Sequence, residues 1–301
     1  MNDSRKIKLP PARYEYGGDE FVFVQLDEAM SLDVNFKAVS ITQHLREKEL
    51  PGIIDICHAN ASYMVRFNPD KLHPDNLIAE LKKIEESLVD EAQIELRTQV
   101  IDIPVMYQDP WTHETLMRFR DRHPDPQSTD IEYVARVNGY RTTEDFIAAH
   151  CGSPYLVTMV AFTPGTSFCY QLVPPEERIE APKYIRPRTD TPERALELGG
   201  SFSNIRPVRG AGGYQLIGMA PAPMFDPNQS LVDFQEFIAF LKPGDIFKYR
   251  RIDRDEFDRI RAEVEAGTFE YRKRDFTFHS DRSLEDPKAY NEEILGVLYG
   301  D

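Results

Sequence analysis

The hydrophobic and polar positions change period along the chain, and each period assigns an element. "FVFVQL" (Phe21–Leu26) follows Gly17-Gly18-Asp19 and reads as a strand. "LDVNFKAVSITQHLREK" places Leu32, Phe36, Val39 and Leu45 near helical spacing. "GIIDICHANASYMVRFNP" gives two strands, 53–58 and 62–67, joined by a short Ala-Asn turn. "HPDNLIAELKKIEESL" lines Leu77, Ile78, Leu81, Ile84 and Leu88 on one helical face, with Asp75 and Asn76 as caps. "QIELRTQVIDIPVMY" returns to strand. Residues 12–100 therefore read β-α-β-β-α-β, a ferredoxin-like split βαβ layout.

After Gln108 the pattern changes. "PWTHETLMRFRDRH", "TDIEYVARVNG" and "TTEDFIAAHC" read as three short helices, the last capped by Thr142 or Thr143. Short strands among dense Gly and Pro follow: "PYLVTMVAFTPGTSF", "FSNIRPV", "GYQLIGMAPAPMF" and "GDIFKYRRI". Short strands with frequent turn signals predict a β-barrel or sandwich over 101–252. "DRDEFDRIRAEVEAG", stopped at Gly267, and "DPKAYNEEILGVLYGD" predict a helical C-terminal extension over 253–301. The fold class is α+β.

Composition narrows the function classes. Hydrophobic content of 41% and charged content of 29% are those of a folded globular chain. A net charge of −15 argues against nucleic acid and anionic membrane as partners. No apolar run of membrane-spanning length occurs, and "MNDSRKIKLPPARYEY" lacks the apolar core of a secretion signal. The three cysteines, Cys57, Cys151 and Cys169, are scattered, which suits a reducing cytoplasm. There is no CxxC and no HExxH, so no metal site is expected.

"RGAGGYQLIG" (209–218) holds four glycines in ten residues, a tight turn or a binding loop. It is no dinucleotide fingerprint, because strand rather than helix follows it. The Pro-Gly of "AFTPGTSF" marks a hairpin or corner turn. His150 ends a helix just before a strand; it is a structural histidine, or an acid/base if it faces a cleft. Arg186 and Arg188 sit beside turn prolines, solvated by default but suited to a carboxylate if they face a cleft. Tyr184 and Gly199-Gly200 complete the set.

In their shared order "SPYLV", "AFTPG", "PR", "TPERALELGG" and "GAGGYQLIG" resemble the allophanate hydrolase subunit 1 family. That family includes one half of the carboxyltransferase domain of biotin-dependent urea carboxylase, a 5-oxoprolinase subunit and a sporulation-kinase inhibitor. The resemblance runs from about Arg13 to Arg261, and "DPWTHETLMRF" and "DIEYVARVNGY" lie closer to the urea carboxylase branch. It implies a cyclophilin-like barrel after the N-terminal domain. It implies a subunit-2 homologue completing the active site, with biotin carboxylase and biotinyl carrier on other chains. This chain carries no Met-Lys-Met biotinyl signature, so no biotin is attached to it.

On that resemblance the reaction is carboxyl transfer from carboxybiotin to a small urea-, amide- or ketone-type acceptor. His150 is expected to move a proton, Arg188 to hold the transferred carboxylate, and Tyr214 and Gln215 to orient the acceptor. Gly212 and Gly213 are expected to offer backbone N–H groups to the ureido oxygen. Phe162, Thr163 and Gly165 are expected to line the acceptor pocket. Phe162 stands where urea carboxylases carry an acidic residue, which implies an acceptor larger than urea or poorer in donors. The alternatives are an ATP-dependent lactamase subunit and a non-catalytic kinase-binding module.

Overall fold

A computed structural model describes residues 11–88 and 95–300. It divides into two compact units, one of Met1–Leu96 with Phe278–Glu285, the other of Arg97–Thr277 with Asp286–Asp301.

The first unit carries β1 (Arg13–Tyr16), β2 (Phe21–Gln25), α1 (Leu32–Glu47), β3 (Ile53–His58), β4 (Ser62–Phe67) and α2 (Pro74–Leu88). Its sheet is antiparallel in the order β1-β2-β4-β3. Alternation along β2 and β4 buries Val22, Val24, Tyr63, Val65 and Phe67. These pack with Val34, Ala38, Ile41 and Leu45 of α1 and Leu77, Leu81 and Ile84 of α2. Ser31 caps α1, its Oγ accepting the Val34 N–H at 3.3 Å. The expected caps of α2 are corrected: the helix starts at Pro74, so Asp75 and Asn76 lie inside its first turn.

The layout is corrected too. The strand after α2, β5 (Glu95–Tyr107), does not join this sheet, and β1 holds the edge beside β2 instead. The physical reason is burial: Val100–Tyr107 is buried at every position, a run suited to a strand covered on both faces. β1 pairs with β2 through the turn at Gly18, where φ is +72°.

The second unit opens with α3 (Pro110–Arg118), α4 (Asp130–Val137) and α5 (Thr143–His150). Asp109 caps α3, Thr129 and Glu132 form a capping box on α4, and Thr142 caps α5. Then follow β6 (Tyr155–Val160), β7 (Ser167–Gln171), β8 (Arg188–Thr191), β9 (Ala195–Gly199), β10 (Phe202–Ile205), β11 (Gly210–Gly212), β12 (Gln215–Met219), β13 (Ile246–Arg251), α6 (Arg254–Glu265), β14 (Lys273–His279) and, after α7 (Ser280–Glu285), which counts with the first unit, α8 (Pro287–Tyr299). The order β12-β9-β10-β7-β6-β13-β5 closes on itself through a β12–β5 pairing, a ring of seven strands; β14 follows β5 outside it. β13 runs parallel to β5 and the other recorded pairings of the ring are antiparallel. β8 and β11 form a separate ribbon. The segment after 252 is therefore more than a helical extension, since it contributes β14 to the sheet. Among the described residues no helix is long and apolar enough to cross a membrane.

Candidate functional site

The ribbon β8–β11, the 182–187 loop and the start of β12 gather buried polar groups into one cluster. Gly212 pairs with Arg188 across the ribbon, with a register shift between Gly210 and Gly212. Arg188 is fully buried. Its Nε donates to Thr191 Oγ1 at 3.2 Å, and its Nη2 to the Tyr214 carbonyl at 2.7 Å. The guanidinium lies 4.6 Å from the centre of the Tyr184 ring. Its Nη1 is enclosed without a hydrogen-bond partner.

Asp130 is the anchor of this cluster. The capping box places it in the first turn of α4, with almost no exposure. Oδ1 accepts the Tyr184 hydroxyl at 2.5 Å and lies 3.0 Å from His123 Nε2. Oδ2 accepts the Leu216 N–H at 2.6 Å. His123 Nδ1 accepts the Asp125 N–H at 2.9 Å, so the ring proton sits on Nε2, toward Asp130. Burial, and after it the charge of Asp130, hold the Tyr184 hydroxyl well above its usual range. The loop is pinned further by Tyr184 N–H to the Gly213 carbonyl at 2.7 Å and Gln215 Nε2 to the Pro182 carbonyl at 2.7 Å.

The glycines act differently from expectation. Gly212 does not present its backbone to a ligand: the space its missing side chain leaves is filled by the Arg206 guanidinium. Arg206 is paired with Glu197 through Nε–Oε1 and through Nη2–Oε2 at 3.1 Å, and both residues are buried. Gly199 likewise makes room for the Tyr214 ring. Gly213 is more open: a methyl group there would stand 3.6 Å from its nearest non-neighbour atoms. The side-chain space at Gly212 is thus taken by Arg206, and of the two expected cradle glycines Gly213 alone keeps open space beside its backbone.

Tyr214 is the member of the cluster that reaches the surface. Its hydroxyl has no hydrogen bond among the described residues, Lys183 Nζ sits 5.0 Å from its ring centre, and burial, then Glu197, push it up to about 12. Arg188 has no open face for a carboxylate; it holds the Tyr214 main chain. Gln215 is fully buried.

His150 lies elsewhere, in the interior of the ring. Its Nδ1 is 2.9 Å from the Tyr107 hydroxyl and its Nε2 3.3 Å from Ser203 Oγ. Its ring stacks on Tyr249 at 5.2 Å and meets Tyr107, Phe146 and Tyr155. It has no solvent contact, and burial lowers its pKa to about 3. The imidazole is neutral and enclosed, a positioning group as it stands. The unfolded chain takes up this proton below about pH 6.5, whereas the folded one waits until about pH 3. Relative to His150→Gln, wild-type stability should therefore fall by about 1.4 kcal/mol per pH unit as pH drops below about 6. Urea midpoints at pH 7.5, 6 and 5 measure it; a pH-independent difference would show the ring is not held neutral.

Phe162, Thr163 and Gly165 form the tip of the β6–β7 hairpin, with no hydrogen bond or ring contact to Arg188 or Tyr214 among the described residues. Phe162 is 74% exposed and has φ of +75°, a region that L residues with bulky side chains rarely adopt. Thr163 Oγ1 bonds Thr166 Oγ1 at 2.6 Å. Gly165 turns with φ of +79°, and a methyl group there would stand 3.3 Å from the Met224 carbonyl and Pro207. Sequence reasoning missed Asp130, His123, Glu197 and Arg206. The capping box "TDIE" marks a helix start at Asp130, but nothing local shows that its carboxylate turns inward.

A family model described as carboxyltransferase domain, subdomain C and D, matches residues 12–233. A 5-oxoprolinase subunit of Bacillus subtilis is 25% identical over 82% of this chain and 95% of its own length. The urea amidolyase of Lachancea kluyveri is 23% identical over 96% of this chain, which spans only 16% of that protein. The crystal structure of the Kluyveromyces lactis urea carboxylase superposes with a TM-score of 0.80 at 18% identity, covering 96% of this chain and 26% of the other.

Proposed function

The chain belongs to the carboxyltransferase-domain family, in its subdomain C and D part, and from that premise we propose that it is one component of a multi-chain carboxyltransferase. A subunit-2 homologue completes its site. Biotin carboxylase and biotinyl carrier chains supply the carboxyl group, and the acceptor is a small urea-, amide- or ketone-type molecule. The observation that carries this reading is coverage. The sequence likeness to a urea amidolyase extends over 96% of the chain, against 82% for the 5-oxoprolinase subunit.

Within that reading the ring is the cyclophilin-like barrel the resemblance implies, and Tyr214 is the residue that meets the acceptor. Arg188 and Asp130 fix its main chain and that of Leu216, so the hydroxyl is held in place beforehand. Lys183 stands over the ring, while burial and then Glu197 keep the hydroxyl protonated, a hydrogen-bond donor to the acceptor. Phe162 offers an apolar face at the hairpin tip. Biotin, carried elsewhere, would supply the carboxyl group when the complex is assembled, and Gly213 is the member of the glycine loop with open space beside it.

Reconstitution tests the proposal. The chain alone should be silent. With its subunit-2 homologue, biotin carboxylase and carrier it should release ADP in an acceptor-dependent, avidin-sensitive reaction. Carboxylation by the chain alone, or turnover indifferent to avidin, would overturn it. The second reading, a lactamase component, rests on the match to 95% of a 5-oxoprolinase subunit. It predicts ATP hydrolysis driven by 5-oxoproline and unaffected by avidin.

A further inference from the structure

We propose that a groove of about 940 Å³ in the second unit, formed by the first half of β5, β14 and the 232–245 segment, binds a small zwitterionic molecule bearing an apolar group. The volume lies within the roughly 300–1,000 Å³ of ligand pockets. The groove is distinct from the Tyr214 cluster, and the inference does not depend on the proposed carboxyl transfer.

Three features of the lining choose the ligand. The first is apolar: Phe237 and Val232 stand 56% and 50% exposed over the groove, large side chains that gain by covering. The second is anionic. Asp245 Oδ2 accepts the Lys242 N–H at 2.7 Å, which leaves Oδ1 without a donor among the described residues. The third is cationic: the Arg97 guanidinium and the Lys242 ammonium make no ion pair among the described residues. Lys273, by contrast, is already neutralised by the buried Asp233 at 2.5 Å. An ammonium for Asp245, a carboxylate for Arg97 and Lys242, and an apolar group for Phe237 and Val232 satisfy all three. A ligand with one sign of charge leaves the opposite set unpaired.

The groups acting on Asp245 are Lys242, Lys273 and the buried Cys169 thiol, and Arg97, Asp233, Glu236 and Asp275 line the same groove, so the added carboxylates also favour a ligand ammonium over a purely anionic ligand. Burial raises its carboxyl to about 6 against the pull of the two lysines. Ligand ammonium should therefore be held more tightly as pH rises from 5 to 7.

The test uses the whole chain titrated with the zwitterionic dipeptide glycyl-phenylalanine and followed by calorimetry. Saturable binding that strengthens between pH 5 and 7 is expected. Asp245→Asn keeps the acceptor for the Lys242 N–H but should bind at least tenfold more weakly at pH 7, and without pH dependence. N-acetyl-phenylalanine, which lacks an ammonium, should be weaker by a similar factor. If Asp245→Asn fails to fold, Phe237→Ser at the exposed rim should still weaken the dipeptide about fivefold. No saturation by the dipeptide, binding by folded Asp245→Asn within twofold of wild type, or equal binding of the acetylated acid would each overturn the proposal.

Discussion

Asp130→Ala should unfold at a much lower urea concentration than wild type, at a cost of about 3–5 kcal/mol. The carboxylate receives Tyr184 O–H and Leu216 N–H and faces His123 Nε2–H, all within the buried interior. Truncation strands two hydrogen-bonded donors, Tyr184 O–H and Leu216 N–H, and leaves His123 Nε2 without the carboxylate it faces; each stranded donor carries a desolvation cost of about 1–3 kcal/mol. The Tyr184 ring that it holds also carries the fully buried Arg188 guanidinium 4.6 Å from its centre, so loosening Tyr184 loosens that contact. Asp130→Asn keeps one carbonyl acceptor but turns an amide N–H toward a donor, so its loss should be about half as large. The chain's single tryptophan, Trp111, stacks 4.9 Å from Phe257 in the same unit, so its fluorescence follows the transition. A loss under about 1 kcal/mol would mean that the cluster does not fix this part of the fold. Where protein remains folded, activity in the reconstituted complex should fall further than the folded fraction, since Leu216 and Tyr214 lose their fixed main chain.

Much of this architecture is legible in the sequence wherever the signal is local. The strands at 53–58 and 62–67 are found at those residues, because alternation and the Ala-Asn turn specify them without help from afar. The capped helices α4 and α5 start where Thr129 and Thr142 offer a side-chain oxygen. β1 escapes such reading, since "RYEY" shows little burial and is strand only by pairing with β2. β5 misleads, because its apolar run tells that it is buried but not beside which strand. The candidate site divides the same way. Glycine and proline mark the 182–188 and 209–218 segments, and Arg188, Tyr214 and Gln215 do come together there. The partners that decide what they do lie far along the chain, Asp130 being 54 and 86 residues from Tyr184 and Leu216. His150 reads locally as a usable acid or base; its enclosure arises from Tyr107, Tyr155 and Tyr249, on three separate strands.

Gly212→Ala should cost about 3 kcal/mol or more, whereas Gly213→Ala should cost under about 1 kcal/mol. Neither glycine has a positive φ, so backbone strain does not separate them. What separates them is the neighbour. A methyl group on Gly212 meets the Arg206 guanidinium, which is fixed by two contacts to Glu197; on Gly213 it meets Pro187 and the Tyr184 carbonyl at ordinary distances of 3.6 Å. Moving Arg206 leaves a buried carboxylate at Glu197 without its counter-charge, and breaking such a pair is worth about 3–5 kcal/mol. A double-mutant cycle isolates this cause. Arg206→Ala alone should be strongly destabilising, and adding Gly212→Ala to it should cost much less than Gly212→Ala costs in wild type, because the nearest obstruction is gone and Thr191 Oγ1 at 3.1 Å is the tight contact left. Additive losses would instead place the cost in the ribbon's own backbone. Turnover in the reconstituted complex then separates packing from ligand contact. If Gly212 serves Arg206, activity should track the folded fraction in both glycine variants. A well-folded Gly213→Ala protein that has lost turnover would return the loop to the active site.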